Sequence, residues 1–326
     1  MMLRFPAVAD ELAGLAIQIV IWGSLAMSAL ILYLVIRRDR NERQRSVQQV
    51  TARTLTREIM AALPQAEDVG SAFAHASVAE RVAAVSHLSR LLRGDDLDRL
   101  AAFVERHELV ARLTRRVAKR RLARRVNIVR SVGSVGGPQA VTALNELLAN
   151  DPAAEVRLEA AAMLARIDAL PSARALIEAL ELAHATVTPL HRALFRALAP
   201  SSATELVELL AEEQSPDVQA LVADALGSSE DYSVLRALRS AAASPAPQVR
   251  IAAIAAISRL GHPGGAAWLI PLLEDDDEMV RAHAARACGS MGLRAAMPRL
   301  IALAEDPSPW VRLRASDAAE ILGGTA

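Results

Sequence analysis

Cysteine is almost missing from this chain. Cys288 is the only one in 326 residues, so a single chain can build neither a disulfide framework nor a cysteine metal cluster. Aromatic residues are also scarce, with four Phe, three Trp and two Tyr, which leaves Ala and Leu to carry most of the apolar content. Both are strong helix formers, and no run of Val, Ile and Thr between Gly-Asn turns marks a strand. The expected fold class is therefore all-α. Lysine is reduced to Lys119, and Arg supplies every other basic residue, a usage typical of a GC-rich bacterial genome. A catalytic constellation is absent as well. The seven His are scattered, and His184 and His191 are too far apart to form an adjacent-turn metal pair. Gly133, Gly136 and Gly137 lack the Lys, the Ser/Thr and the preceding strand of a phosphate loop. No catalytic, metal or cofactor residue is assigned, and the chain is expected not to be an enzyme.

The zero net charge hides an asymmetry. Residues 1–145 hold 22 basic and 13 acidic side chains, whereas residues 146–326 hold 15 basic and 24 acidic. Leu12 to Ile36 carries no charge over 25 residues, long enough to cross a hydrocarbon core of about 30 Å. Asp10 and Glu11 before it, and its length, argue against a cleaved signal peptide. Arg4 alone precedes the stretch, while Arg37, Arg38, Arg40, Arg43 and Arg45 follow it. By the positive-inside rule the expectation is a bacterial inner-membrane protein, single-pass, with its N-terminus out and its body in the cytoplasm.

Residues 109–145 contain no acid but crowd together Arg112, Arg115, Arg116, Lys119, Arg120, Arg121, Arg124, Arg125 and Arg130. Three readings stand side by side. The run is the solvated face of a helix that turns Leu113, Val117, Leu122 and Val126 inward. Alternatively it contacts anionic lipid headgroups or an acidic protein. Nucleic acid is the least favoured, because interleaved aromatics and a DNA-reading motif are missing.

The back of the chain is periodic. Val156, Val187, Val218, Val249, Val280 and Val311 recur every 31 residues, and Arg157, Arg250, Arg281 and Arg312 follow four of them. A period of this size marks stacked units that bury their apolar faces only against neighbours. Counted from each Val, positions 0, 4, 7, 8 and 11 form one apolar stripe of a helix. Position +8 holds Leu164, Phe195, Leu226, Ile257, Cys288 and Ala319, which places Cys288 in the core rather than in a reactive site. Another apolar helix ends about eight residues before each Val, so every unit is a helix pair. Asp151-Pro152, Ser215-Pro216, Ser244-Pro245 and Asp306-Pro307 sit where backbone N–H groups need acceptors at the start of the second helix. Gly261, Gly292 and Gly323 are placed as helix-ending glycines.

The pattern Asp-Pro-x-x-x-Val-Arg-x-x-Ala-Ala-x-x-Leu resembles the short bacterial HEAT repeat, the type also found in phycobilin lyases. Asp151, Pro152, Val156, Arg157, Ala160 and Ala161 carry it, and Val249, Arg250, Ala253, Leu260 and Gly261 repeat it. Val280, Arg281, Ala284, Ala285, Asp306, Pro307, Val311 and Arg312 continue it, and an offset early copy ends at Val135-Gly136. Thr188-Pro189-Leu190-His191-Arg192-Ala193 matches an ankyrin phrase, but it occurs once and in frame with the Val column, so it is read as a divergent unit. The resemblance implies an α-solenoid of HEAT-like helical pairs in a right-handed superhelix, here preceded by a single transmembrane helix. It also implies that the column Arg stitches adjacent loops to acids and that the second helices line the concave face.

On that face, columns +1, +3, +6 and +10 place Arg250, Arg259, Arg281, His283, Arg286, Arg312 and Arg314, beside an acidic loop from Glu274 to Glu278. Trp310 stands where the other units have Glu155, Thr186, Asp217, Gln248 and Met279, and is either a packing cap or an interface anchor. The expected division is 1–11 outside the cell, 12–36 spanning, 37–70 a basic linker, 71–121 a membrane-proximal helical region and 122–326 the repeats. The expected function is a membrane-anchored scaffold that binds a protein partner, itself part of a membrane-associated complex. Two alternatives accompany it: tetrapyrrole or chromophore handling, implied by the resemblance, and lipid or nucleic-acid binding through residues 112–130.

Overall fold

Helix starts keep step with the Val column. In the computed structural model, helices begin at Ala154, Pro216, Pro247, Glu278 and Pro309, each two residues before Val156, Val218, Val249, Val280 or Val311. All five valines are buried. The structure describes residues 22, 27, 30, 32–34, 50–64, 69–115, 117–212 and 214–323, and the chain divides into two units, 1–103 and 104–326.

In the first unit, residues 50–62 of the expected linker are helical, followed by α1 (Ser71–His75), α2 (Val78–Leu91) and α3 (Asp95–Arg106). Two carboxylates satisfy the N–H groups that a helix start leaves unpaired. Glu58 accepts from the Ala72 and Phe73 amides at 3.3 and 2.8 Å. Ser77 and Glu80 form a reciprocal capping box on α2. Val82, Val85 and Leu88 of α2 are buried with Leu55, Ile59 and Phe73, whereas Leu91 is exposed. Phe73 meets Phe103 edge to face at 5.3 Å, and the Arg81 guanidinium covers the Phe73 ring.

The expected membrane localisation is corrected. Among the described residues no helix is long and apolar enough to cross a membrane, which leaves the expected single-pass anchor, and the orientation built on it, without a helix to rest on. A span needs about 20 consecutive apolar helical residues. Of the stretch 12–36, only Trp22, Met27, Leu30, Leu32, Tyr33 and Leu34 are described; the rest, and the segment 1–11, lie outside the described residues.

The second unit continues with α4 (Leu109–Thr114), α5 (Leu122–Val135), α6 (Pro138–Asn150), α7 (Ala154–Arg166), α8 (Ala173–Ala179) and α9 (Pro189–Ala211). Then come α10 (Pro216–Leu226), α11 (Leu235–Ala241), α12 (Pro247–Leu260), α13 (Ala266–Leu269), α14 (Glu278–Ser290), α15 (Met297–Ala302) and α16 (Pro309–Gly323). The second helices form one continuous stack in chain order: α5, α7, α9, α10, α12, α14, α16. Small residues permit the close approach. A Cβ on Gly227 of the α10 end would stand 2.5 Å from the Ala256 Cα, and one on Gly289 would stand 2.9 Å from the Ala318 Cα. Among the described residues this stack is entirely helical: an all-α, HEAT-like solenoid built on the 31-residue repeat.

The Val187 unit departs from its neighbours. Its helix starts at Pro189, about one turn late relative to the column, which leaves Val187 half-buried outside it. Thr188 caps the helix, and His191 closes the box by accepting the Thr188 N–H at Nδ1, 3.0 Å away. The same helix runs past Pro200 and kinks at Ser202 (φ −129°, ψ 26°), so the first helix of the next unit follows without a loop. Gly261 and Gly292 take left-handed conformations at φ +63° and +68°, as helix-ending glycines do. Gly323 instead is the last residue of α16.

Candidate interaction surface

The column arginines form a ladder along the loops. Arg250 donates to the Ser244 and Pro245 carbonyls of its own loop at 2.8 and 3.2 Å and reaches Asp275 of the next loop at 2.6 Å. Arg281 repeats this one unit on, donating to the Asp275 and Asp276 carbonyls and taking Asp306 bidentately at 2.8 and 3.0 Å. Arg157 joins the Asp151 carbonyl to Glu181. Among the described residues Arg312 holds only its own Asp306 and Pro307 carbonyls. Asp151 and Asp306 also accept the N–H two residues on, at 2.9 and 2.8 Å, and so rigidify the loops they close. Fork-shaped donors on a carboxylate are strong, geometrically specific contacts. Arg250 and Arg281, expected on the binding face, are therefore structural stitches with side chains only 13% and 16% exposed.

A second network crosses the helices themselves. Asp224 of α10 is 3% exposed and collects two guanidiniums. Arg196 of α9 donates at 2.7 and 2.9 Å, and Arg259 of α12 donates at 2.8 Å while also reaching the Asp224 carbonyl. Burial works against the Asp224 carboxylate, but the hydrogen bonds from Arg196 and Arg259 outweigh it and hold its pKa below the usual value. Sequence reasoning placed Arg259 on the face and missed Arg196 and Asp224. The available signal was a charged residue at position +6, a column that reads Ala162, Ala193 and Ala255 in three other units.

The remaining expected residues converge. Met279, Ala282, His283, Arg286, Trp310 and Arg314 line one cleft of about 190 Å³ between α14 and α16. Trp310 is 59% exposed and Met279 43%, so Trp310 is not a buried packing cap. Arg286 donates to His283 Nδ1 at 3.3 Å, and Arg314 reaches Asp317 at 3.3 Å on its own helix. Burial, then the charges of Arg286 and Arg314, push the His283 pKa down, which favours its neutral ring.

The basic run proves heterogeneous. Arg125 sits three residues into α5, where Arg157 sits in α7, and it donates to Asp151 at 2.8 Å as a further ladder rung. Arg130 pairs bidentately with Glu159, and Arg112 lies 3.9 Å from Glu108. Arg115, Lys119, Arg120, Arg121 and Arg124 are exposed, and among the described residues none has an ion-pair partner. Arg116 lies outside the described residues.

Elsewhere, Cys288 is fully buried, and burial pushes its thiol up to about 12, which leaves no thiolate for nucleophilic work near neutral pH. Among the described residues no three His, Cys, Asp or Glu side chains are grouped to hold a metal ion. A wide cleft of about 1170 Å³ opens among Leu210, Tyr232, Leu235, Arg236, Pro245 and Val249. No sequence pattern pointed to it.

A family comparison agrees with the repeats of this stack. The family described as HEAT repeats matches residues 203–278 and 266–326, so this C-terminal part of the chain carries HEAT repeats. No curated protein sequence matches it. Among solved structures it is similar to human deoxyhypusine hydroxylase, with 17% identity, 83% of this chain and 97% of that one covered, and a TM-score of 0.34. It is also similar to an engineered protein at 22% identity (74% and 98% covered, TM-score 0.34) and to a designed armadillo repeat protein at 18% (73% and 99% covered, TM-score 0.32).

Proposed function

We propose that this chain is an adaptor that binds a protein partner through the second-helix face of its last two units. The observation that carries the reading is Trp310: a large aromatic, 59% exposed, beside a cleft lined by Met279, His283, Arg286 and Arg314. Trp and Arg are the residue types that dominate protein interfaces. Their neighbours supply a fixed platform, because the ladder and the buried Ala columns lock the helices that present them. The HEAT repeats matched at residues 203–326 include this platform, and stacked helical repeats characteristically present extended binding surfaces. The 31-residue period supports the compact subtype of the repeat.

A photo-reactive amino acid at position 310 of the full chain tests the reading, with the same group at the exposed position Leu91 as control. Adducts of discrete mass from 310 but not from 91 are expected. Identical adducts from both positions, or none from 310, would overturn it.

A further inference from the structure

The repeat contains its own precedent for what the Trp310 cleft lacks. Position +6 of the second helix holds Asp224 in the third unit, where one buried carboxylate ties together Arg196 and Arg259 from the flanking helices. In the fifth unit the same position holds Arg286, and the neighbouring helix offers Arg314 to the same cleft. The sign at the column is reversed. Two guanidiniums face the cleft where a carboxylate stands two units earlier.

Partners within the chain are weak here. Arg286 has the neutral ring of His283 at 3.3 Å, and Arg314 has Asp317 at 3.3 Å, a contact three residues along its own helix with both side chains well exposed. Contacts of that kind contribute little. By contrast, Arg196, Arg250 and Arg281 reach their carboxylates within 2.8 Å. An anion entering the cleft would meet two donors, and the neutral His283 would gain a reason to protonate. The cleft is small, about 190 Å³, which suits one side chain rather than a folded surface. Trp310 and Met279 at its rim give the residues next to that side chain an apolar shelf.

We infer that the cleft receives an acidic peptide segment, seating one Asp or Glu carboxylate between Arg286 and Arg314 with an adjacent apolar residue on Trp310. The inference rests on the adaptor reading and gives the partner its chemistry. The occupant is a peptide rather than a polyanionic backbone because the cleft admits one anion beside an apolar rim. A nucleic acid would seek the open run of Arg115, Lys119, Arg120, Arg121 and Arg124 instead.

The test uses the full chain and a fluorescent peptide, Glu-Glu-Leu-Glu-Glu-Leu-Glu, against its Gln counterpart, followed by anisotropy. The Glu peptide should bind saturably and the Gln peptide at least about tenfold more weakly, the effect of losing a charge-assisted pair. Arg286→Gln with Arg314→Gln should weaken the Glu peptide by a similar factor, and Trp310→Ala should weaken both peptides. Arg120→Gln with Arg124→Gln, which removes charge outside the cleft, should change binding less than about twofold. Circular dichroism confirms that each variant is folded, and Arg286→Lys, which keeps the charge, should recover part of the affinity if Arg286→Gln alone unfolds the chain. Equal binding of the two peptides, equal loss in the Arg120/Arg124 variant, or no saturable binding would overturn the inference. If position 310 still cross-links a partner while the Glu and Gln peptides bind alike, the acidic chemistry fails and the adaptor reading stands.

Discussion

At the residue scale, much of the molecule's specificity rests on arginines that look alike in the sequence. Arg121, Arg124 and Arg125 are near neighbours, yet only Arg125 meets a carboxylate, that of Asp151 in the following loop. The spacing shows which residues share a helix face. It does not show which acid a flexible side chain will reach across a loop, because that depends on the offset between stacked helices. Asp224 is the sharpest case, since both of its partners lie about one unit away in sequence. Replacing Asp224 with Asn leaves two guanidiniums without a counter-charge but able to reach water, and should cost about 2 kcal/mol. Urea denaturation of the variant against the parent measures it. His191 adds a pH dependence. Burial depresses its pKa, and its Nδ1 accepts the Thr188 N–H, so the folded state favours the neutral ring. The stability it contributes is complete above the unfolded value of about 6.5 and is lost as pH falls below it. His191→Gln keeps an acceptor for the capping box without titrating there, so its denaturation midpoint should fall less between pH 7.5 and 5 than that of the parent. His283, whose pKa is also depressed, contributes a further part of the slope, which the His191→Gln variant keeps.

At the element scale, the Val column foretold where five helices begin, and the structure places each start two residues ahead of its Val. The sixth fails for a local reason. Thr188-Pro189 makes a strong cap and first helical residue, so the helix begins there and Val187 falls outside it. The ankyrin-like phrase is thus a delayed helix start within a HEAT-like stack. The ladder ranks its own rungs. Arg281 bridges two loops with a bidentate pair, so Arg281→Ala should lose about 2 kcal/mol. Arg312 touches only its own loop, and Arg312→Ala should lose clearly less. Thermal unfolding of both variants under one condition provides the comparison. The close helix contact at Gly227 predicts the opposite of the usual gain from removing a helical glycine. Its backbone is unstrained, yet a methyl group would collide with Ala256, so Gly227→Ala should destabilise by about 1–3 kcal/mol in the same assay.

At the scale of the whole molecule, the 31-residue repeat made the architecture legible and the uncharged stretch misled. Leu12 to Ile36 has the length and composition of a membrane span, but among the described residues no helix meets that requirement. The fold class, the helix pairs and the core position of Cys288 followed from periodicity, because stacked repeats make burial a function of column. The cleft followed only in part. Trp310, His283, Arg286 and Arg314 were singled out separately, whereas their meeting across α14 and α16 depends on helix packing that columns do not encode. Within the second unit the stacked repeats form a helical platform, and Trp310 is its one markedly exposed Trp among the described residues. The most direct measurement is a quantitative affinity purification of the full chain beside its Trp310→Ala variant, both shown to be folded. At least one protein should be retained in near-equal amount by the parent and lost from the variant. The same set of proteins recovered at the same amounts from both would contradict the account.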